Sequence, residues 1–267
     1  MQKTRVGDVE IVALIDNVMS WPASDVYASA TPQMLEPFRG DLDEAGLLAL
    51  NFGCFLLIDR EATVLVDTGW GPEFNGKLLE ELEAAGIQRD AIDSVIFTHL
   101  HGDHTGWNLD RATGDPLFPR ARFLVPKADF DHYAAADPAS ESFQRDIVPL
   151  MALNRIDLLD GEHSITASLT AIPTPGHTPG HTSIAIASAG ETGYILGDVV
   201  LSTIDAVEPG WANTFDTDST VAEATRRRVI AELVANRALV GASHIAVPGL
   251  GRFVSRGGGT AWEPLRS

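Results

Sequence analysis

The segment 94–106 concentrates side chains that can bind a metal ion. It reads Ser-Val-Ile-Phe-Thr-His-Leu-His-Gly-Asp-His-Thr-Gly and holds four potential ligands within six residues: His99, His101, Asp103 and His104. An apolar run that predicts a strand precedes them. Because residues two apart on a strand point to the same side, His99 and His101 can reach one ion, and the turn that follows can aim Asp103 and His104 at a second point. Imidazole and carboxylate ligands suit zinc and similar divalent ions, whereas a polar loop needs no such pattern.

Three later segments, each directly after a predicted strand, offer further ligands. The first is the loop 173–181, Pro-Thr-Pro-Gly-His-Thr-Pro-Gly-His, in which prolines and glycines favour a rigid backbone around His177 and His181. The second carries Asp198 and the third carries His244. A lone histidine after a strand is more often a packed or surface residue. Together with the first cluster, however, these side chains supply the ligands that two five-coordinate ions would require.

Strand-like and helical patterns alternate along the chain and place the candidate ligands at strand ends. Strands are predicted at 9–14, 48–58, 62–67, 94–98, 121–125, 156–159, 165–172, 182–187, 194–196 and 238–242. Helices are predicted at 73–85, 128–136, 142–153 and 219–236, with a short one starting at Thr31-Pro32. This pattern suits two mixed sheets packed together with helices outside. We expect one domain over residues 1–267, with similar halves at about 1–135 and 136–267, and a flexible tail from Gly257 to Gly259.

Charge and hydropathy restrict the function classes. The formal net charge of −18 is opposite to the basic footprint of nucleic-acid-binding proteins and disfavours anionic membranes. No run approaches the roughly 18 apolar residues of a membrane span, and the first residues lack the apolar core of a signal peptide, so a cytoplasmic location is expected. The one cysteine, Cys54, excludes an internal disulfide and lies in an apolar run, where a buried thiol is expected rather than a nucleophile.

Residues 16–46 are predicted to be irregular and are unusually apolar for a loop. Two interpretations stay open, a lid or contact surface and a set of side chains that covers the edge of the core. If the segment is exposed, its apolar character favours a homodimer. The side chains expected to line a substrate pocket are Trp21, Met34, Phe38 and, from a later segment, Trp211.

The order and spacing of these motifs resemble those of the metallo-β-lactamase-fold hydrolases. The resemblance is carried by His99-Leu-His-Gly-Asp-His104, by Thr-Pro-Gly-His177-Thr-Pro-Gly-His, by Gly197-Asp198 and by Ser243-His244. It covers nearly the whole chain. It implies an α/β fold in which two mixed sheets and flanking helices form a four-layer αββα sandwich, with the ions at one edge between the sheets.

The resemblance also implies a ligand for each position of a dinuclear centre. The first ion would take His99, His101 and His177, the second would take Asp103, His104 and His244, and Asp198 and a hydroxide would bridge them. His181 would orient a ligand rather than bind an ion. Two divalent ions are expected, with Zn²⁺ favoured and Mn, Fe and Co compatible. His132 and His163 match no family position and are expected at the surface.

Such a centre implies hydrolysis by the bridging hydroxide, because a bound divalent ion lowers the pKa of water from about 15.7 to about 7. Asp103 is expected to act as the catalytic carboxylate that takes a proton from this water and passes it to the leaving group. Trp211, the segment 215–218 and the segment 243–251 are similar to the lactonase and methyl-parathion-hydrolase-like branch. The expected substrate is therefore a small apolar ester or lactone, with promiscuous phosphotriesterase or arylesterase activity.

Other functions of the same fold stay open at this stage. A mononuclear iron enzyme of the persulfide dioxygenase type shares the ligand motif, and a zinc β-lactamase-like activity is a further alternative. Asp198 disfavours the latter, because zinc β-lactamases of this fold place cysteine or serine there. A catalytically silent binding protein is disfavoured by the intact ligand set, since buried carboxylates and histidines are costly without a role. Val199, Val200 and Leu201 stand where many acyl-homoserine-lactone lactonases carry a tyrosine.

Overall fold

Residues 2–265 are described in the computed structural model, which contains two seven-stranded sheets. The first sheet consists of β1 (Gln2–Val6), β2 (Val9–Pro22), β3 (Leu47–Ile58), β4 (Thr63–Val66), β5 (Ser94–Ile96), β6 (Arg122–Pro126) and β7 (Ile156–Leu159). These strands neighbour one another in chain order, antiparallel from β1 to β4 and parallel from β4 to β7.

The second sheet is built from the later part of the chain. It consists of β8 (His163–Ser164), β9 (Leu169–Pro173), β10 (Thr182–Ser188), β11 (Glu191–Ile195), β12 (Leu239–Gly241), β13 (Leu250–Arg256) and β14 (Gly259–Pro264). Its neighbouring strands are antiparallel except for the parallel pair β11 and β12. Both sheets are therefore mixed, as the sequence predicts.

Eight α-helices accompany the sheets in the part of the chain that the structure describes, residues 2–265. They are α1 (Ala23–Val26), α2 (Pro32–Leu35), α3 (Leu78–Ala84), α4 (Lys127–Ala134), α5 (Glu141–Asp146), α6 (Val148–Ala152), α7 (Ile204–Val207) and α8 (Ser219–Asn236). The bounds of α8 are those predicted, because the Asp218 carboxylate caps its first turn by accepting from the N–H groups of Thr220 and Val221. Within residues 2–265, no helix combines the length and apolar character that a membrane span requires.

Strand periodicity divides the apolar side chains into three layers. On β3, Cys54 and Leu56 face α3, α5 and α6, whereas Phe55 and Leu57 face the second sheet. The other face of the second sheet packs against α8 through residues such as Leu233. The order is therefore helices, sheet, sheet, helix, which confirms the expected αββα sandwich. Cys54 is buried, as predicted.

The segment 16–46 is more regular than predicted. Its first residues continue β2, which passes a bulge at Asp16 and stays paired with β3 as far as Pro22. The Thr31 hydroxyl caps α2, and a 3-10 helix (36–41) follows. The buried side chains of this segment pack with residues of β3 and with Trp211 in a small apolar cluster. Pairing with β3 and packing in this cluster therefore order a segment that its sequence predicts to be irregular.

Three further expectations differ from the structure. The predicted helix 142–153 is interrupted at Ile147, which joins α5 to α6 just before Pro149, a residue that lacks an N–H. The glycines 257–259 are not a flexible tail, because Gly257 and Gly258 form the tight turn of the β13–β14 hairpin with positive φ angles. The two halves are expected to meet at about residue 135, but the first sheet ends with β7 and the second begins with β8, so the boundary between the sheets lies at 160–162. The helices α4 to α6 connect β6 to β7 and therefore belong with the first sheet.

Candidate metal centre

The histidine cluster lies in the loop that follows β5 rather than on the strand itself. β5 ends at Ile96, so strand alternation does not bring His99 and His101 together. The loop nevertheless places Nε2 of His99 3.0 Å from Nδ1 of His101. Nε2 of His177, from the loop after β9, lies 3.0 Å from the same Nδ1 atom. Three imidazoles from two loops therefore meet at one point.

The structure gathers all seven predicted ligands. Their ligand atoms form three overlapping groups, each within 4.8 Å: His99, His101 and His177; His99, His104 and Asp198; and Asp103, His104 and His244. The first and third groups coincide with the two sets that the family resemblance implies. The exposed His132 and His163 lie outside these groups.

Asp198 occupies the position between the two sets of ligands. Its Oδ2 atom lies 3.2 Å from Nε2 of His177 and 3.2 Å from Nε2 of His244. Its Oδ1 atom lies 3.3 Å from Nε2 of His104. Oδ2 of Asp103 is 3.5 Å from Nε2 of both His104 and His244. One carboxylate thus contacts both sets, and the second carboxylate belongs to one set.

Each of three ligand histidines donates its Nδ1 hydrogen to a fixed acceptor. His104 donates to the Asp67 carboxylate at 2.8 Å, His177 to the Asp216 carboxylate at 3.0 Å, and His244 to the carbonyl of Asn51 at 2.7 Å. In the neutral form of each ring, these bonds leave the lone pair on Nε2 and aim it at the centre. The sequence pattern singles out none of these three acceptors, although Asp67 stands at a strand end, as the predicted ligands do.

His181 contacts the backbone of Asp198. The N–H of Asp198 donates to Nε2 of His181 at 2.9 Å, and Nδ1 of His181 donates to the carbonyl of Thr174 at 3.1 Å. Gly197 has a φ of +57°, and a side chain there would meet His181 and Thr98. The orienting role expected for His181 therefore has a structural counterpart in a bond to the chain beside the shared carboxylate.

The electrostatics of the centre favour positive charge. Burial alone raises the pKa of a carboxyl, but His104 and His244 lower the pKa of Asp103 to about 2, and the surrounding histidines hold the pKa of Asp198 well below its usual range. Burial, with help from His177, lowers the pKa of His101 to about 4. Near neutral pH the centre therefore holds two ionised carboxylates beside a neutral imidazole.

The donor set fits divalent metal ions. His177 has used its ring hydrogen on Asp216, and His99 donates its own to the Thr98 hydroxyl, so both Nε2 lone pairs face His101, which can donate to only one of them. Within the described part of the chain, Nε2 of His104 and Oδ1 of Asp198 are buried 3.3 Å apart, and neither atom makes a hydrogen bond. A cation satisfies both features, because it accepts several lone pairs at one point.

An apolar cavity of about 280 Å³ opens above the centre. Its lining combines five of the predicted ligands and Gly102 with six apolar side chains: Trp21, Leu50, Phe52, Trp70, Leu201 and Phe215. Trp21 lies where expected. Phe38 and Trp211 pack behind the cavity wall, with ring centroids 5.7 Å apart, and Met34 is exposed on α2. Among the described residues that line the cavity, none is lysine or arginine.

The segment 199–217, which contains α7, is bound by one buried guanidinium. Arg226, on α8, is 1% exposed and donates to the carbonyls of Val199 and Trp211 and to the Asp216 carboxylate. A second carboxylate, Asp205, lies 3.8 Å away. Through these contacts Arg226 supports a wall of the cavity and the acceptor of a ligand histidine.

Comparison with known proteins decides the family. A family model described as the metallo-beta-lactamase superfamily matches residues 54–244, most of the chain. The chain belongs to this superfamily. This confirms the resemblance seen in its motifs, and the span of the match includes all seven predicted ligands.

Relatives within the superfamily include lactonases. An N-acyl homoserine lactonase from Bacillus sp is 31% identical over 183 residues, which are 60% of this chain and 65% of that protein. The chain thus spans about two thirds of the length of this curated relative. The AiiA N-acyl homoserine lactonase of Bacillus thuringiensis subsp. kurstaki matches to the same extent. Both relatives are N-acyl homoserine lactonases, and the match covers 65% of each of them.

Solved structures of the superfamily share the fold over the whole chain. The hydrolase AbOPH has a TM-score of 0.87 at 27% identity, covering 99% of this chain and 97% of its own. AidC, a dizinc quorum-quenching lactonase, has a TM-score of 0.88 at 24% identity, covering 100% of this chain and 97% of its own. The expected cytoplasmic location and homodimer contact stay predictions, since no comparison bears on them.

Proposed function

We propose that this chain is a metal-dependent hydrolase of small, uncharged esters or lactones that works with two divalent ions. The proposal is carried by the position of Asp198, which contacts ligand histidines of two separate sets at the floor of an apolar cavity. It is supported by the N-acyl homoserine lactonases among the relatives.

The two sets divide the ligands between the ions. The first ion would be held by His99, His101 and His177, the second by Asp103, His104 and His244, and both by Asp198. When bound, such ions supply a water of lowered pKa and polarise the carbonyl that is attacked. Histidine nitrogens with carboxylate oxygens suit Zn²⁺, and the hydrogen bonds to Asp67, Asp216 and Asn51 hold the imidazoles in the orientation that binding requires.

Asp103 is the carboxylate that we assign to proton transfer. Its side chain is 17% exposed and lines the cavity, whereas the Asp198 side chain is 5% exposed and is surrounded by histidines. An aspartate is ionised near neutral pH, so one of its carboxylate oxygens can accept a proton from the attacking water. The same oxygen can then donate this proton to the departing alkoxide of the ester or lactone.

The cavity favours an uncharged substrate. Its walls are aromatic and aliphatic, so they bind the apolar part of a substrate and exclude water from the reacting bond. A carboxylate on the part of the substrate away from the ions would lie against these walls without a cationic partner among the described lining residues. Burying such a charge unpaired is costly, which disfavours carboxylate-bearing substrates such as β-lactams.

Metal content and turnover of the purified protein test the proposal. We expect about two zinc-like ions per chain and turnover of neutral lactones and aryl esters, with slower turnover of phosphotriesters. Chelation should abolish turnover, and Zn²⁺ or Co²⁺ should restore it. Undiminished turnover in the metal-free protein would overturn the proposal. So would a single bound iron together with oxidation of a persulfide, which is the result expected of the dioxygenase alternative.

A matched pair of substrates tests the charge preference. An aryl ester with a neutral acyl chain is compared with the same ester carrying a terminal carboxylate on that chain. We expect a higher kcat/KM for the neutral ester, and equal values would contradict the preference. A Leu201→Lys variant should narrow the difference, because it places a cation in the wall.

A further inference from the structure

Asp129 is a buried carboxylate whose hydrogen bonds all go to the loops that carry the ligands. It lies in α4 and is fully buried. Its Oδ2 atom accepts from the N–H of Leu100 at 3.1 Å and from the hydroxyl of Thr178 at 2.8 Å. Its Oδ1 atom accepts from the N–H of Gly180 at 2.5 Å. One side chain outside the candidate ligand groups thus contacts both loops that carry them.

Each of the three donor residues is next in sequence to a histidine of one of the two loops. Leu100 separates His99 from His101, Thr178 follows His177, and Gly180 precedes His181. Two of the donors are backbone N–H groups, so the carboxylate fixes the backbone itself beside these histidines. The loops belong to different sheets, since one follows β5 and the other joins β9 to β10. Their relative position therefore depends on a group that contacts both.

The local packing is specific to this contact. A Cβ atom on Gly180 would lie 2.4 Å from the backbone nitrogen of Asp129, so the loop reaches the helix only where the side chain is absent. An ionised carboxylate buried in a helix is costly unless its oxygens are fully bonded. Asp131 on the same helix is exposed and pairs with Lys127, as an ordinary surface carboxylate does.

We propose that Asp129 is a positioning residue that sets the spacing between the loops 97–106 and 174–181, and so the affinity of the His99, His101 and His177 set for its ion. This inference rests on the proposed function, because it assumes that the set binds metal. Asp129 contributes no ligand atom. It acts by holding His101 and His177 in contact across the two sheets.

The variants Asp129→Asn and Thr178→Val test this role, with Asp131→Asn as the matched control. Asp129→Asn replaces one carboxylate oxygen with an NH₂ group, which cannot accept a hydrogen bond from the donor groups of the two loops. We expect its affinity for one of the two Zn²⁺ ions, measured by chelator competition, to fall about 10- to 100-fold. The Zn²⁺ affinity of Thr178→Val should fall less, and that of Asp131→Asn should equal the wild-type affinity. Asp129→Asn with a wild-type circular dichroism spectrum and unchanged Zn²⁺ affinity would overturn the inference.

Amide hydrogen exchange in the metal-free protein separates this inference from the proposed function. The N–H groups of Leu100 and Gly180 should exchange faster in Asp129→Asn than in wild type and Asp131→Asn, whether or not the wild type binds metal. Unchanged exchange would count against Asp129, whereas a wild type that binds no divalent ion would refute the proposed function. If Asp129→Asn does not fold, Thr178→Val replaces it, because it keeps the carboxylate and removes one of its three hydrogen bonds. Its Zn²⁺ affinity should then fall below that of Asp131→Asn, and equal affinities would overturn the inference.

Discussion

The backbone N–H of Asp198 donates a hydrogen bond of 2.9 Å to Nε2 of His181. Nδ1 of the same ring donates to the carbonyl of Thr174, so the two ends of the imidazole connect two loops. Burial lowers the pKa of His181 to about 3, which keeps Nε2 unprotonated and able to accept near neutral pH. His181 therefore holds the backbone of the carboxylate that lies between the two sets of ligands.

Replacing His181 should weaken metal binding although it is not a ligand. In His181→Ala the N–H of Asp198 loses its acceptor, and the carboxylate loses a fixed backbone. We expect metal affinity to fall about 10- to 100-fold, as measured by chelator competition. The exposed His132→Ala is the control and should bind as wild type does. Wild-type affinity in His181→Ala would show that the loop holds Asp198 without this bond.

His181 should also contribute to the pH dependence of stability in the metal-free protein. Its pKa is about 3 in the folded chain, against an ordinary value of 6.5. Between these values the unfolded chain binds a proton that the folded chain does not, so acidification favours unfolding. The contribution is fully present above about pH 6.5 and is lost as the pH falls toward 3. Urea midpoints of wild type should therefore fall more steeply between about pH 7 and pH 5 than those of His181→Gln. Parallel curves would contradict this.

The candidate ligands that the structure brings together could be found in the sequence because their motifs are local. The cluster from His99 to His104 is contiguous, and Asp198 and His244 follow apolar strands. The strand alternation expected to pair His99 with His101 is nevertheless wrong, because β5 ends before them. Loop geometry rather than strand alternation brings the two rings together.

The groups that hold the ligands could not be predicted in the same way. Asp216 is 39 residues from His177, and Asp129 is 51 residues from Gly180, so each pairing exists only once the sheets have packed. The residues that line the cavity could likewise be predicted only in part. Trp21 was predicted to line it, whereas Phe52 looks like any core residue of a strand until the fold turns it toward the centre.

Arg226 should contribute strongly to stability. In Arg226→Met the buried carboxylates of Asp205 and Asp216 lose their cation, and breaking a buried ion pair typically costs about 3–5 kcal/mol. Arg227→Met is the matched control, because its pair with Glu223 is exposed and is worth about 0–1 kcal/mol. Urea unfolding of both variants measures the difference. Equal losses would show that Asp205 and Asp216 tolerate burial without the guanidinium.

Substitutions in the cavity wall should change substrate binding more than the rate of the chemical step. Trp21 is half-buried in the cavity wall, and the centroid of its ring lies 5.8 Å from that of Phe215 and 6.2 Å from that of Phe52. In Trp21→Ala we expect KM for a long-chain ester or lactone to rise about 10-fold, the effect of losing one to two kcal/mol of apolar contact, with kcat little changed. A short-chain substrate is the internal control. An equal rise in KM for both chains would place the acyl group elsewhere.

Gly197 should be intolerant of any side chain. Its φ is +57°, and an added Cβ would lie 2.7 Å from Nε2 of His181 and 2.7 Å from Cβ of Thr98. Gly114 is the matched control, because its φ is +77° but nothing lies within 4 Å of an added Cβ. Gly114→Ala should cost only the left-handed strain of about 1–2 kcal/mol. Gly197→Ala carries the same strain and must also displace His181, so it should lose more stability in urea unfolding and bind Zn²⁺ more weakly. If both variants lost the same stability and kept wild-type Zn²⁺ affinity, the contact between Gly197 and His181 would not constrain the centre.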